Sequence, residues 1–197
     1  MLYERLHLAL LEARAAQKVT DYWTKLLPSP PSDTSEQTKR ELSQVKKMAN
    51  NRSPEELELV KRIDDDPAAT LRDVVKKHGL EYPKAEFDKA YKVLQPILLK
   101  LKRHFKRPRP YALDKSIKYV PSKTHKYMAY PSGHVAFAAL AEKILSMKYP
   151  SHSAEFKSAL KDVGRARMLM GVHYPSDNTA GEKLVDKLWP TLKKELT

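Results

Sequence analysis

Residues 83–105 read PKAEFDKAYKVLQPILLKLKRHF. Phe87, Ala90, Val93, Leu94, Ile97, Leu98 and Leu101 recur at intervals of three and four, which places them on one face of an α-helix. Pro83 opens the stretch, and Pro96 predicts a kink inside it. The same period recurs on both sides. Upstream, Asp66-Pro67 reads as a helix start and Gly79 as its end. Ser53-Pro54-Glu55-Glu56 reads as another start: Ser caps, Pro takes the first helical position and Glu56 reaches back. A helix is predicted from about Glu36 to Ala49, preceded by an extended linker over 28–35 whose prolines cannot continue a helix. Leu2, Leu6, Ala9, Leu10 and Ala13 predict an N-terminal helix over 2–27. Downstream, periodicity is lost from Phe105 to Pro131 and returns over 134–147, 153–170 and 176–196. No sustained strand alternation and no internal repeat occurs. The reading is an all-α, single-domain bundle of about seven or eight helices over 1–197, with one long loop.

Composition narrows the function. The 197 residues carry a formal net charge of +13, with only 5 Gly and no Cys. So few glycines argue against a turn-rich β-sandwich or barrel. The charge points to an anionic partner: nucleic acid, a membrane surface or a phosphorylated small molecule. The missing cysteines exclude disulfides, Cys-ligated zinc, iron–sulfur clusters and thiol catalysis. The most apolar stretches are short and broken by charge, whereas a membrane span needs about 20 apolar residues. The N-terminal stretch is amphipathic and interrupted by Glu4, His7, Glu12 and Arg14, unlike a secretory signal. These features predict a soluble chain, cytoplasmic as given and periplasmic if a signal precedes it.

Three local features carry chemistry. Pro131-Ser132-Gly133-His134 stands where the loop meets an apolar helix. The free N–H groups and dipole of a helix start favour anions, and Gly133 permits close approach. Arg167, His173 and Asp177 lie in RARMLMGVHYPSD. His and Asp four apart at a helix start share a face, and an Asp on one ring nitrogen fixes the tautomer and sharpens the other. The run KLKRHFKRPRP holds Lys100, Lys102, Arg103, Lys106, Arg107 and Arg109. Taken singly, each has a plain alternative: a helix cap, a surface His beside a capping Asp, a solvated basic face.

Taken together, they resemble the three-part motif of the type 2 phosphatidic acid phosphatase superfamily, which includes vanadium haloperoxidases and class A bacterial non-specific acid phosphatases. The parts are Lys102…Arg109-Pro110, Pro131-Ser132-Gly133-His134 and Arg167…His173…Asp177. Lys100…Arg107-Pro108 has the same spacing as the first part. The register on Lys102 and Arg109 is chosen because KRHFKRPRPYA is similar to the soluble acid phosphatases. Where the family usually has Ser before the third-part Arg, this chain has Ala166.

The resemblance implies phosphomonoester hydrolysis through a phosphohistidine, with His173 as nucleophile, Asp177 as its support and His134 as general acid and then base. It implies that Lys102, Arg109, Arg167, Ser132 and Gly133 hold the phosphoryl oxygens, with no metal and no cofactor; vanadate would act as an inhibitor. Three cations and a helix start suit a phosphoryl transition state, which needs positioning and charge neutralisation. The proton states required of the two imidazoles predict a bell-shaped pH–rate profile. Lys100, Arg103, Lys106 and Arg107 are expected to steer anions. The loop 105–131, with Tyr111, Tyr119, Tyr127, Met128 and Tyr130, is expected to rim the pocket; Tyr127 or Tyr130 either stacks on an aromatic or nucleoside leaving group or merely packs the loop. The expected partner is a small phosphorylated substrate; nucleic acid is not required, and a homo-oligomer is compatible. Two rivals remain at this point: a haloperoxidase with vanadate as cofactor on His173, and a basic nucleic-acid-binding module without catalysis.

Overall fold

A computed structural model describes residues 25–122 and 128–196. Its helices are α1 (Glu36–Asn50), α2 (Pro54–Asp65), α3 (Ala69–Lys77), α4 (Lys84–Phe105), α5 (Pro110–Leu113), α6 (Gly133–Lys148), α7 (Ser153–Leu169) and α8 (Pro175–Leu192), with 3-10 turns at Pro150–His152 and Lys193–Leu196. No strand occurs among the described residues, and the all-α reading holds. The N-terminal helix lies outside the described residues except at 25–27, which form a turn and a bend rather than helix.

Local chemistry sets the helix ends. Ser53 and Glu56 make the full capping box at the start of α2, with Pro54 at the first helical position. The Asp66-Pro67 start is displaced: Asp66 accepts the Ala68 N–H through its side chain, and helix begins at Ala69. Gly79, at φ +62, follows α3 in a conformation that costs glycine little. Helix α4 runs without interruption through exposed Pro96.

Helix α6 is the hub. Its sequence, GHVAFAALAEKILSMK, is apolar almost all round, so it is covered on most sides. It packs against α4, α7 and α8, while α2 and α3 lie against α7. Val135, Leu140, Ile144 and Leu145 of α6 meet Leu94 and Leu101 of α4, Val163 of α7 and Leu184 of α8 in the main core. Gly181 lets α8 approach the start of α6: a Cβ there would lie 2.7 Å from the Ser132 carbonyl oxygen. That crossing brings the Ser132-Gly133-His134 segment beside the first turn of α8.

The 105–131 segment is not a free rim. Helix α5 sits within it, Ile117 is buried with Val45 and Ala49 of α1, and Tyr111 stacks on Tyr119 with centroids 4.1 Å apart. Tyr130 is buried, edge-on to Phe105, and donates its hydroxyl to the Pro28 carbonyl. Of the two roles open to Tyr130, packing is the one this arrangement realises. Tyr127 lies outside the described residues.

Candidate active site

Three parts of the chain far apart in sequence meet at the α4 C-terminus, the α6 N-terminus and the α7–α8 junction. Lys102 occupies the core phase of α4, one position after Leu101 and four after Leu98, and is buried with them. A buried ammonium needs acceptors. Nζ donates to the carbonyls of Met128 and Ala129, at 2.8 and 3.3 Å. Gly133 passes against the Lys102 stem. Arg109 is the N-cap of α5, and its Nη1 donates to the Val172 carbonyl at 2.9 Å. Ser132 caps α6, its Oγ accepting the Val135 N–H, and its own N–H donates to the Asp177 carbonyl at 2.9 Å.

His173 is buried between these groups. Nδ1 lies 3.1 Å from Asp177 Oδ2, and Nε2 lies 3.3 Å from Arg109 Nη1. A guanidinium can only donate. Nε2 therefore presents its lone pair to Arg109, and Nδ1 carries the proton toward Asp177. That tautomer is the one a nucleophile at Nε2 requires. Burial, reinforced by the positive charges of Arg109, Lys102 and Arg167, holds His173 well below the usual imidazole range and so neutral.

Asp177 is sealed from solvent. Burial raises its carboxyl, opposed by Arg107 and the Tyr174 N–H. Oδ2 accepts that N–H at 3.0 Å, and Oδ1 accepts Arg107 Nη1 at 2.7 Å. Arg107 is thus a correction to the expected steering role. It is buried, stacks on the Tyr174 ring at 3.8 Å, and bonds to Ser176 Oγ and Glu41. Lys100, Arg103 and the αL residue Lys106 stay exposed.

Asp64, at the C-terminal end of α2, is a site residue the sequence did not announce. Its Oδ1 accepts Arg167 Nη1 at 2.8 Å, and its backbone oxygen lies 3.3 Å from His134 Nε2. Among the described residues, Nε and Nη2 of buried Arg167 find no hydrogen-bond partner. Desolvation, joined by repulsion from Arg167, pushes His134 down to about 3. Burial beside Arg109 pushes Lys102 down to about 7, and burial beside Arg167 pushes Arg109 down to about 10. Burial is the largest cause of each of these shifts, and mutual repulsion among Lys102, Arg109 and Arg167 adds to it; a bound dianion would offset the repulsive part.

A cavity of about 390 Å³ opens on these groups; Lys102, Arg109, Gly133, His134 and His173 form its polar end. Its other lining residues include Tyr91, Leu98, Leu99 and Phe137, together with Asp64, Asp65 and Pro67. Among the described residues, no tyrosine of the 105–131 segment lines it. The expected residues Lys102, Arg109, Gly133, His134 and His173 thus converge on one space, with Ser132, Arg167 and Asp177 immediately behind them.

Residues 91–182 match the family model of the PAP2 superfamily. The chain is 31% identical over 83 residues to the non-specific acid phosphatases of Salmonella typhi and Salmonella typhimurium, a match covering 41% of this chain and 33% of each relative. It thus spans about a third of the length of these curated relatives. The fold is similar to that of the first transmembrane PAP2 type phosphatidylglycerolphosphate phosphatase from Bacillus subtilis, with a TM-score of 0.57 and 20% identity over 82% of this chain and 87% of that one. Among the described residues, no helix is long and apolar enough to cross a membrane. The matched span contains every residue of the converging site except Asp64, and the chain carries a PAP2 superfamily domain.

Proposed function

We propose that this chain hydrolyses phosphomonoesters through a covalent phosphohistidine on Nε2 of His173. The observation that carries this reading is the pairing of a neutral, oriented His173 with Arg109 at 3.3 Å, in a pocket also lined by Lys102 and backed by buried Arg167, whose Nε and Nη2 have no hydrogen-bond partner among the described residues.

In the first step Nε2 attacks phosphorus in line with the ester oxygen. The N–P bond forms as the P–O bond breaks, and His134 protonates the departing alkoxide. In the second step His134 takes a proton from water, which attacks phosphorus and releases His173 and inorganic phosphate. Asp177 holds the Nδ1 proton throughout and stabilises the positive ring of the intermediate. Lys102, Arg109, Arg167 and the N–H groups at the start of α6 neutralise the equatorial oxygens. His134 is held neutral in the free site, so its acid role depends on the substrate: the phosphoryl dianion cancels the charge of Arg167 and raises the imidazole.

The cavity walls favour the leaving group's chemistry. Tyr91, Leu98, Leu99 and Phe137 offer apolar contact, and Asp64 and Asp65 disfavour a second anionic group. The preferred substrates are monoesters of apolar or aromatic alcohols. The reading is tested by assaying phenyl phosphate hydrolysis in excess chelator, with His173→Ala as control. Chelator-resistant release of phosphate, lost in the variant, is expected; equal rates in the two proteins would overturn the nucleophile assignment.

A further inference from the structure

Outside the cavity, His78, His152 and Glu155 converge at one corner of the fold. His78 is the C-cap of α3, His152 closes the 3-10 turn and Glu155 lies in the first turn of α7. Their nearest nitrogen and oxygen atoms all lie within 4.8 Å of one another. His78 Nε2 is 2.8 Å and His152 Nδ1 3.8 Å from the same carboxylate oxygen, Oε1. The two imidazole rings face each other with centroids 4.1 Å apart and planes inclined by 35°. None of the three lines the cavity.

We propose that these side chains form a binding site for a divalent transition ion of the Zn2+ type, separate from the reaction centre. Two imidazole nitrogens and one carboxylate oxygen are borderline donors that suit Zn2+, Co2+ or Ni2+ rather than Ca2+ or Mg2+. A tetrahedral ion with bonds of about 2.0–2.2 Å needs its ligand atoms about 3.3–3.6 Å apart. The two observed separations bracket that range, so small side-chain rotations close the set. All three side chains are partly exposed, which leaves a path for the ion and a fourth position for water. Lys77 Nζ already holds the other carboxylate oxygen, Oε2, at 2.7 Å and leaves Oε1 for the ion. The ion would staple the end of α3 to the start of α7, adding to their packing, to the Lys77–Glu155 ion pair and to the Thr70 hydroxyl on the Ala159 carbonyl.

The test is calorimetric titration of the chelator-dialysed full chain with ZnCl2, alongside thermal unfolding with and without the ion and visible absorption of the Co2+ form. One ion per chain, a raised Tm and tetrahedral Co2+ bands are expected. His78→Ala and His152→Ala should each weaken binding at least tenfold and remove the Co2+ bands, while His104→Ala and His173→Ala leave both unchanged. Circular dichroism checks that the variants fold, and His152→Gln supplies a second variant of similar shape. No binding by the parent chain, or undiminished binding by folded His78→Ala/His152→Ala, would overturn the proposal. Loss of binding in His173→Ala alone would place the ion at the reaction centre and also overturn it.

Discussion

Nη1 of Arg107 lies 2.7 Å from Oδ1 of Asp177, with both side chains sealed from solvent. The other oxygen of the same carboxylate meets His173 Nδ1. Arg107 thus acts on the imidazole through Asp177, as a positioning residue. Glu41 and Ser176 hold it from behind: Ser176 Oγ donates to Glu41 Oε2 at 2.6 Å and accepts from Arg107. The arrangement places α1, a helix outside the three motif segments, behind the site.

Arg107→Ala should lower kcat at least about tenfold and destabilise the fold by about 3–5 kcal/mol, because it leaves a buried carboxylate without its cation. Denaturant unfolding and steady-state kinetics measure the two effects. Arg107→Met keeps the volume and loses the charge. Wild-type kcat in that variant would show that Arg107 only packs.

Asp177→Asn should reduce kcat by about 10²–10⁴, since an amide can donate to Nδ1 and favour the wrong tautomer. KM should change little, as Asp177 lies behind His173. A variant with unchanged kcat would remove Asp177 from the mechanism.

Free-site pH dependence should follow Lys102, held at about 7. Below that value the ammonium is charged and binds the phosphoryl group; above it the charge is lost. kcat/KM should therefore fall as pH rises through about 7, and Lys102→Arg should move that limb upward. The substrate's own second ionisation, near about 6, shapes the acid side. An alkaline limb that stays in place in Lys102→Arg would assign it to another group.

Stability should fall as the solution is acidified from about 6.5. His173 and His134 bind protons less readily folded than unfolded, so lowering pH favours the unfolded chain. Each histidine contributes a slope of up to about 1.4 kcal/mol per pH unit below about 6.5. The raised carboxyl of Asp177 takes up a proton in the folded state and offsets part of this at the acid end. Orthovanadate, by neutralising Arg167, Arg109 and Lys102, should restore Tm at pH 5. A Tm that is flat from pH 7 to 5, or unmoved by vanadate, would contradict the shifts.

Phe137→Ala and Tyr91→Ala should lower kcat/KM for phenyl phosphate about tenfold and leave methyl phosphate nearly unchanged, because only the larger leaving group reaches the apolar wall. Equal losses on both substrates would signal a collapsed site rather than a specificity wall.

The sequence made the helices legible where apolar spacing and end signals agree, as at Ser53–Glu56 and along α4. Lys102 was reached only through the motif resemblance: taken singly its basic run reads as a solvated face, and its burial appears once the Met128 and Ala129 carbonyls receive its ammonium. Arg107 was not: it follows the helix end at Lys106, where helical phase no longer says which way a side chain points. Nothing local separates it from the exposed cations around it. Asp64 pairs with Arg167, 103 positions away, through tertiary packing that no short window contains. For Tyr130 the sequence left stacking and packing both open, because nothing local shows that Phe105 and Pro28 close over the ring.

The close crossing at Gly181, with the Ser132 N–H on the Asp177 carbonyl, has an engineering consequence. The proposed nucleophile His173, four residues before Asp177, and the start of α6 are thus tied by backbone, so their spacing does not depend on any leaving-group contact. Exchanging the side chains of the apolar wall should therefore redirect substrate preference while leaving the chemical step intact. A Cβ at residue 181 would do the reverse, impairing turnover on every substrate alike.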